Sequence, residues 1–181
     1  VNRAQLVLAS FVLGMGIGSL FTGPISDAVG RKLTIYVGLA LYSAGAALAW
    51  AAPSLEMLMV ARVIQGLGAA APRIVGLALV RDLYAGREMA RVTSFVMMIF
   101  ILVPAVAPSI GAMIVGFAGW RGIFLAFVVF ALICSFWLGV RQEETLAPAQ
   151  RRPLSAASLL AALKEVLSDR MAMLCTLVMT L

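Results

Sequence analysis

Five apolar runs, each about as long as a helix needs to cross a bilayer, occupy most of the chain: Leu6 to Ile25, Leu33 to Ala52, Leu55 to Val80, Val92 to Phe117 and Gly122 to Val140. A crossing helix takes about 20 residues, whereas a barrel strand takes about 9 to 11 and alternates apolar with polar side chains. None of the runs alternates in that way, so an all-α membrane protein is predicted. Composition excludes the soluble alternative. With 63% hydrophobic and 12% charged residues in 181, and a mean hydropathy of +1.05, no soluble core could hide the apolar surface. A sixth run opens at Met171, the chain starts at Val1, and no basic-then-apolar leader precedes the first run. An excerpt from a longer chain is expected.

The net charge of +6 would, in a soluble protein, raise the question of nucleic acid. In a membrane protein, excess Lys and Arg marks the cytoplasmic side. Ten of the fourteen basic residues fall on one side of the predicted spans: Arg31, Lys32, Arg81, Arg87, Arg91, Arg141, Arg151, Arg152, Lys164 and Arg170. The other side holds Arg3 and Arg121, while Arg62 and Arg73 lie inside the third run. The basic side is therefore predicted to be cytoplasmic, the turns near Pro53 and Gly119 to face outward, and no nucleic-acid partner is expected. The chain has no His, and Cys134 and Cys175 sit in apolar runs without motif spacing. No metal, cofactor or disulfide framework is expected, and no enzymatic constellation of nucleophile and base appears within the spans.

Ser54 is the predicted N-cap of the third span, with Glu56 in the first turn where the helix dipole favours an anion. Residues 1–141 are read as the membrane bundle, 142–170 as a cytoplasmic connecting segment broken by Pro148 and Pro153, and 171–181 as the start of another crossing. Within the connecting segment, Leu159, Leu160, Leu163, Val166 and Leu167 recur at helical steps between polar residues. A short amphipathic helix at the membrane surface is predicted there.

The most specific local pattern joins the first two runs: Gly23, Asp27, Gly30, Arg31 and Lys32 at fixed spacing. Gly23 permits close helix approach, Gly30 a tight turn, and Arg31 and Lys32 supply charge partners. Asp27 opposes its own helix dipole at the end of the first span, so it needs a partner such as Arg31 or the N-terminus of a facing helix. The pattern resembles the signature loop of the major facilitator superfamily, which implies a cytoplasmic latch between two halves of a transporter. The plain alternative is a topogenic charge cluster.

Arg62, Gln65, Gly66 and the small residues after them resemble the family's fourth-helix motif. An Arg inside the bilayer costs about 2.5 to 3.5 kcal/mol on insertion scales, so it is expected to face a bundle or a water-filled cavity. Arg73, eleven residues on, falls within about 20° of Arg62 and roughly 16 Å further along the helix. It lies outside the motif and follows Pro72; a cavity role and snorkelling to the cytoplasmic interface are both open. The sequence has no acid at matching depth, so the charge partners are expected in missing sequence or in the cargo. Pro104, Pro108 and Gly111 partly match the fifth-helix motif of the family's antiporters, with Ala107 and Ala112 replacing two glycines. They read either as a hinge or as a kinked structural helix. Ser10, Gly14, Gly18 and Thr22 read as a helix-packing stripe, and Met97, Met98 and Phe100 as drug-pocket lining or as ordinary core or lipid-facing residues.

Further matches at Arg81 to Tyr84, Gly119 to Arg121, and Glu144 to Leu146 extend the resemblance over nearly the whole chain, toward the bicyclomycin-resistance group of drug and proton antiporters. That resemblance implies the major facilitator fold and most of its N-terminal six-helix half, the five runs being helices two to six. It implies a bacterial inner-membrane protein that exports small drug-like molecules against protons by alternating access. Its partners would be the lipid bilayer and the missing C-terminal half, and its proton carrier an acid on the absent helix one. The alternatives are a transporter of a small metabolite, an anionic one included, and a non-transporting receptor or assembly protein.

Overall fold

A computed structural model describes residues 3–146 and 151. They form α1 (Arg3–Val29), α2 (Arg31–Ala51), α3 (Leu55–Leu83) and α4 (Gly86–Arg141). The predicted amphipathic helix and the run from Met171 lie outside the described residues. The helices outlast the apolar runs at several ends, because backbone hydrogen bonding continues where the hydrocarbon stops: α1 has 27 residues and α3 has 29. The cap expected at Ser54 is present. Its Oγ accepts a hydrogen bond from the Met57 N–H at 3.2 Å, with Glu56 in the first turn.

The fourth and fifth runs are joined as α4, whose 56 residues would reach about 84 Å as one rod, nearly three times the hydrocarbon thickness. The rod is broken at Gly119, whose φ of 68° and ψ of 179° are not helical. That φ is open to glycine and strained for residues with a Cβ. Beyond the break the chain returns alongside itself: Val106 and Ile110 of the first arm face Ile123 and Phe127 of the second across an apolar cavity of about 740 Å³. The two arms thus supply two crossing lengths, as the charge pattern requires. The helix runs through Pro104 and Pro108 without another non-helical residue.

The centre of the bundle is α3, and small residues let its neighbours approach it closely. On α1, Gly14, Gly18, Thr22 and Ser26 form a buried stripe. Gly14 lies on the Val63 carbonyl, Gly18 on Leu67 and Ala70, and Gly66 of α3 on Phe11 and Met15. Positions on the two helices rise together, so α1 and α3 are parallel. On the other side Gly38 meets Gly68 and Ala71 while Gly45 meets Gln65, so α2 is antiparallel to α3. Contact of backbone on backbone supplies the dispersion and close fit that hold helices together in lipid, where no hydrophobic drive operates between them. The second arm of α4 closes the sheath through Ile35, Leu39, Val75 and Ala131, and through Ala49, Ala61 and Phe124. Large apolar side chains point outward instead: Leu8 is 60% exposed and Phe117 is 89% exposed, which suits lipid and not water. Every residue from Met97 to Ile110 is exposed, so Met97, Met98 and Phe100 are not core residues of the described bundle.

The α1 and α3 contact gives a direct stability prediction. A Cβ on Gly66 would overlap the Phe11 carbonyl oxygen, whereas a Cβ on Gly16 would meet nothing within 4 Å. Gly66→Val in the full-length protein is expected to lower stability by about 1 to 3 kcal/mol or more, from overpacking. Thermal melting in detergent reads this, and Gly16→Val should melt near the wild-type temperature.

Candidate functional site

Two polar clusters lie within this apolar bundle, one at its basic end and one inside the spans. The basic-end cluster is built around Arg31, the first residue of α2. Its Nη1 pairs with Asp27 Oδ1 at 2.6 Å and donates to Ser26 Oγ at 2.5 Å, while Nε pairs with Asp82 Oδ2 at 3.1 Å. The Arg31 side chain is only 13% exposed. A cation at a helix N-terminus and an acid at a helix C-terminus each oppose their own dipole. Bringing Arg31 to Asp27 offsets both penalties, and Asp82 extends the pairing to α3. The expected partner of Asp27 is therefore Arg31. The turn that allows this is Gly30 alone, at φ 120°.

The other members of the predicted loop lie around this centre. Lys32 Nζ donates to the Gly139 carbonyl at 3.4 Å, tying the start of α2 to the end of α4. Gly23 lines a polar cleft of about 370 Å³ together with Asp27, Arg31, Arg81 and Asp82. Sequence reasoning missed two participants, Ser26 and Glu144, and did not pair Asp82 with Arg31. Glu144 lies 113 residues from Arg31, yet it accepts the backbone N–H of Arg31 at 2.9 Å and of Lys32 at 3.2 Å. A local signal existed only for Ser26, which continues the four-residue stripe of α1.

The second cluster lies seven residues, about 10 Å, inside α3. Arg62 donates from Nη1 to Gln65 Oε1 at 2.6 Å. Its guanidinium lies 4.5 Å from the centroid of the Phe11 ring on α1 and 5.9 Å from that of Phe124 on the second arm of α4. The quadrupoles of two rings thus face the cation that no acid in the described spans neutralises. Gln65 is fully buried, and Gly45 and Gly66 leave room for α2 and α1 to pack around it. Arg62 Nε and Gln65 Nε2 are buried without a hydrogen-bond partner among the described residues. The Tyr42 side chain of α2 also borders this pair. The expectation that Arg62 finds its partners only in missing sequence or cargo is thus refined: its neutral partners are on this chain.

Arg73 is not part of that cluster. It is exposed, and its Nη1 reaches Met15 Sδ on α1 at 3.7 Å. Helix side chains lean toward the N-terminus, and Met15 also contacts Gly66. The guanidinium is therefore directed back along α3 toward the Arg62 level and away from the basic end. Pro104 and Pro108 lie on the exposed first arm of α4, and Gly111 lines the cavity between the arms. On the opposite end of the bundle, Arg121 stacks on Trp120 at 4.8 Å and donates to the Ala52 carbonyl at 3.0 Å. It satisfies a carbonyl just beyond the end of α2, which accounts for this cation on the otherwise charge-poor side.

The chain matches the family model of the Major Facilitator Superfamily over residues 1–181. It is 32% identical to an uncharacterized MFS-type transporter of Bacillus subtilis, over 93% of this chain and 42% of that protein. A bicyclomycin resistance protein homolog of Haemophilus influenzae is 34% identical over 84% of this chain and 38% of its own length. A chloramphenicol resistance protein of Pseudomonas aeruginosa is 38% identical over 79% of this chain and 36% of its own length. The chain thus spans about two fifths of the length of these curated relatives. With its long apolar helices around α3 and the Gly23 to Lys32 loop at their basic end, the chain is a multi-pass membrane protein with part of the N-terminal half of the major facilitator fold, and it belongs to the major facilitator superfamily.

Proposed function

We propose that the whole protein exports small, mostly apolar drug-like molecules across a bacterial inner membrane in exchange for protons. On this reading the described helices are helices two to six of a twelve-helix transporter, whose halves rock around a site near the membrane midplane. The observation that carries the proposal is Arg62, a cation inside the spans held by Phe11, Phe124 and Gln65, whose own Nε is buried without a hydrogen-bond partner among the described residues. Such a group stabilises the ionised form of an acid brought near it and releases it when geometry or cargo separates them. Proton binding is thereby linked to the access state. The Asp27, Arg31 and Asp82 cluster acts as the gate at the basic end, stabilising one of the two states.

The drug-resistance names of several relatives support the cargo class. A second reading, export or uptake of an organic anion, is favoured by Arg73, an exposed guanidinium directed back along the same helix toward the level of Arg62. Cells lacking their own exporters and carrying the full-length gene separate the two. Expected for drug export is efflux of a cationic dye that competing drugs inhibit and organic anions do not. Inhibition by organic anions alone would overturn it in favour of the second reading.

A further inference from the structure

The carboxylate of Glu144 lies against the start of α2. It lies three residues beyond Arg141, where α4 stops, and both of its oxygens accept hydrogen bonds from the first turn of α2: Oε1 from the Arg31 N–H at 2.9 Å and Oε2 from the Lys32 N–H at 3.2 Å. These N–H groups are among those a helix start leaves without intrahelical partners, and an anion there is also favoured by the helix dipole. Gly30 carries no side-chain cap. Glu144 takes that role from 112 residues away in sequence. Oε1 also accepts the Leu146 N–H at 3.1 Å, which turns the chain back on itself, and Leu146 is buried. A Cβ on Gly30 would stand 2.5 Å from Glu144 Oε2 and 3.4 Å from Arg151 Nη2, so the connecting segment still lies against the turn at Arg151.

Arg31 is therefore held twice. Its backbone is fixed by Glu144 and its side chain by Asp27, Ser26 and Asp82. We propose that Glu144 is a positioning residue of the gate: it caps α2, sets the Gly30 to Lys32 turn, and fastens the connecting segment to this half of the protein. The proposal rests on reading the Gly23 to Lys32 loop as a gate for its effect on transport. The tether itself does not depend on that reading. The anchor acts at the start of the segment, at Glu144 and Leu146, next to the turn that it caps.

The experiment uses the full-length transporter in proteoliposomes with two readouts. The first is the rate of trypsin cleavage after Arg151, because Pro153 protects the bond after Arg152. Glu144→Ala is expected to raise it severalfold and Glu144→Gln, which keeps one acceptor oxygen, by less. An unchanged cleavage rate in Glu144→Ala overturns the tether. The second is drug flux, for which Glu144→Ala is expected to lower the maximal rate severalfold at unchanged KM, with Glu144→Gln intermediate. Cleavage that rises while flux stays at the wild-type rate leaves the tether standing and overturns the positioning role. Flux that falls for every gate variant except Glu144→Ala likewise overturns the positioning role, whereas wild-type flux in all gate variants, Asp27→Ala included, overturns the gate reading instead.

Discussion

Arg62→Ala in the full-length protein is expected to lower proton-driven drug efflux by about tenfold or more, equivalent to roughly 1.4 kcal/mol or more in the limiting barrier. The side chain holds three groups at once, the Phe11 ring, the Phe124 ring and Gln65 Oε1, which belong to α1, α4 and α3. Removing it leaves the fully buried Gln65 without the donor to its oxygen, a loss of about 1 to 3 kcal/mol for an unsatisfied buried group. It also removes cation–π contacts of about 0.5 to 2 kcal/mol each. Arg62→Lys keeps the charge and loses the planar fork that lies over a ring while donating to Gln65. Its efflux should fall between the two. The double variant Arg62→Ala with Gln65→Leu removes both members of the pair, and it is expected to regain stability while efflux stays low. Recovery of efflux with stability would mean that Arg62 serves folding alone. Efflux rates at matched membrane abundance and melting temperatures in detergent separate these outcomes.

Arg31→Ala carries the second large effect. Each exposed ion pair is worth only about 0 to 1 kcal/mol, and Asp27 is 43% exposed on its side chain, so stability is expected to fall by about 2 kcal/mol at most. The functional loss should be larger. Without Arg31, Asp27 stands at a helix C-terminus with no cation to offset the dipole, Asp82 loses its partner, and the cleft at the basic end becomes net negative. Transport is expected to drop by about tenfold, and the population of the state that this end closes should fall in parallel. Reactivity of single cysteines placed at the basic and opposite ends of the full-length protein reads the population. Asp27→Ala is expected to shift it in the same direction by less, since Asp82 keeps its partner. Full drug resistance in cells carrying either variant would contradict the gate.

The membrane class, the apolar lengths and the turn at Gly119 were legible because hydrocarbon thickness and the placement of charge leave few solutions. The motif residues Asp27, Gly30 and Arg31 were legible as a group because they lie within one short loop. Their pairing with Asp82 was harder to see: it depends on α1 and α3 running parallel with their ends level, which follows from Gly14, Gly18 and Gly66 meeting the opposing backbone. Glu144 was invisible as a cap, because nothing local distinguishes a carboxylate that reaches back 113 residues from one in water. Arg62 and Arg73 show the same limit. Helical spacing placed both on one stripe, but whether each would find rings, an amide or a thioether depends on Phe11, Met15 and Phe124, which come from other helices.

Proton-coupled export through Arg62 is best tested by drug flux through the purified full-length protein in proteoliposomes with an imposed proton gradient, compared between wild type and Arg62→Ala. The expected result is gradient-driven movement of a drug-like cation or neutral antibiotic, abolished by a protonophore and reduced about tenfold or more in Arg62→Ala. Binding without flux, or flux indifferent to both the gradient and Arg62, would contradict it.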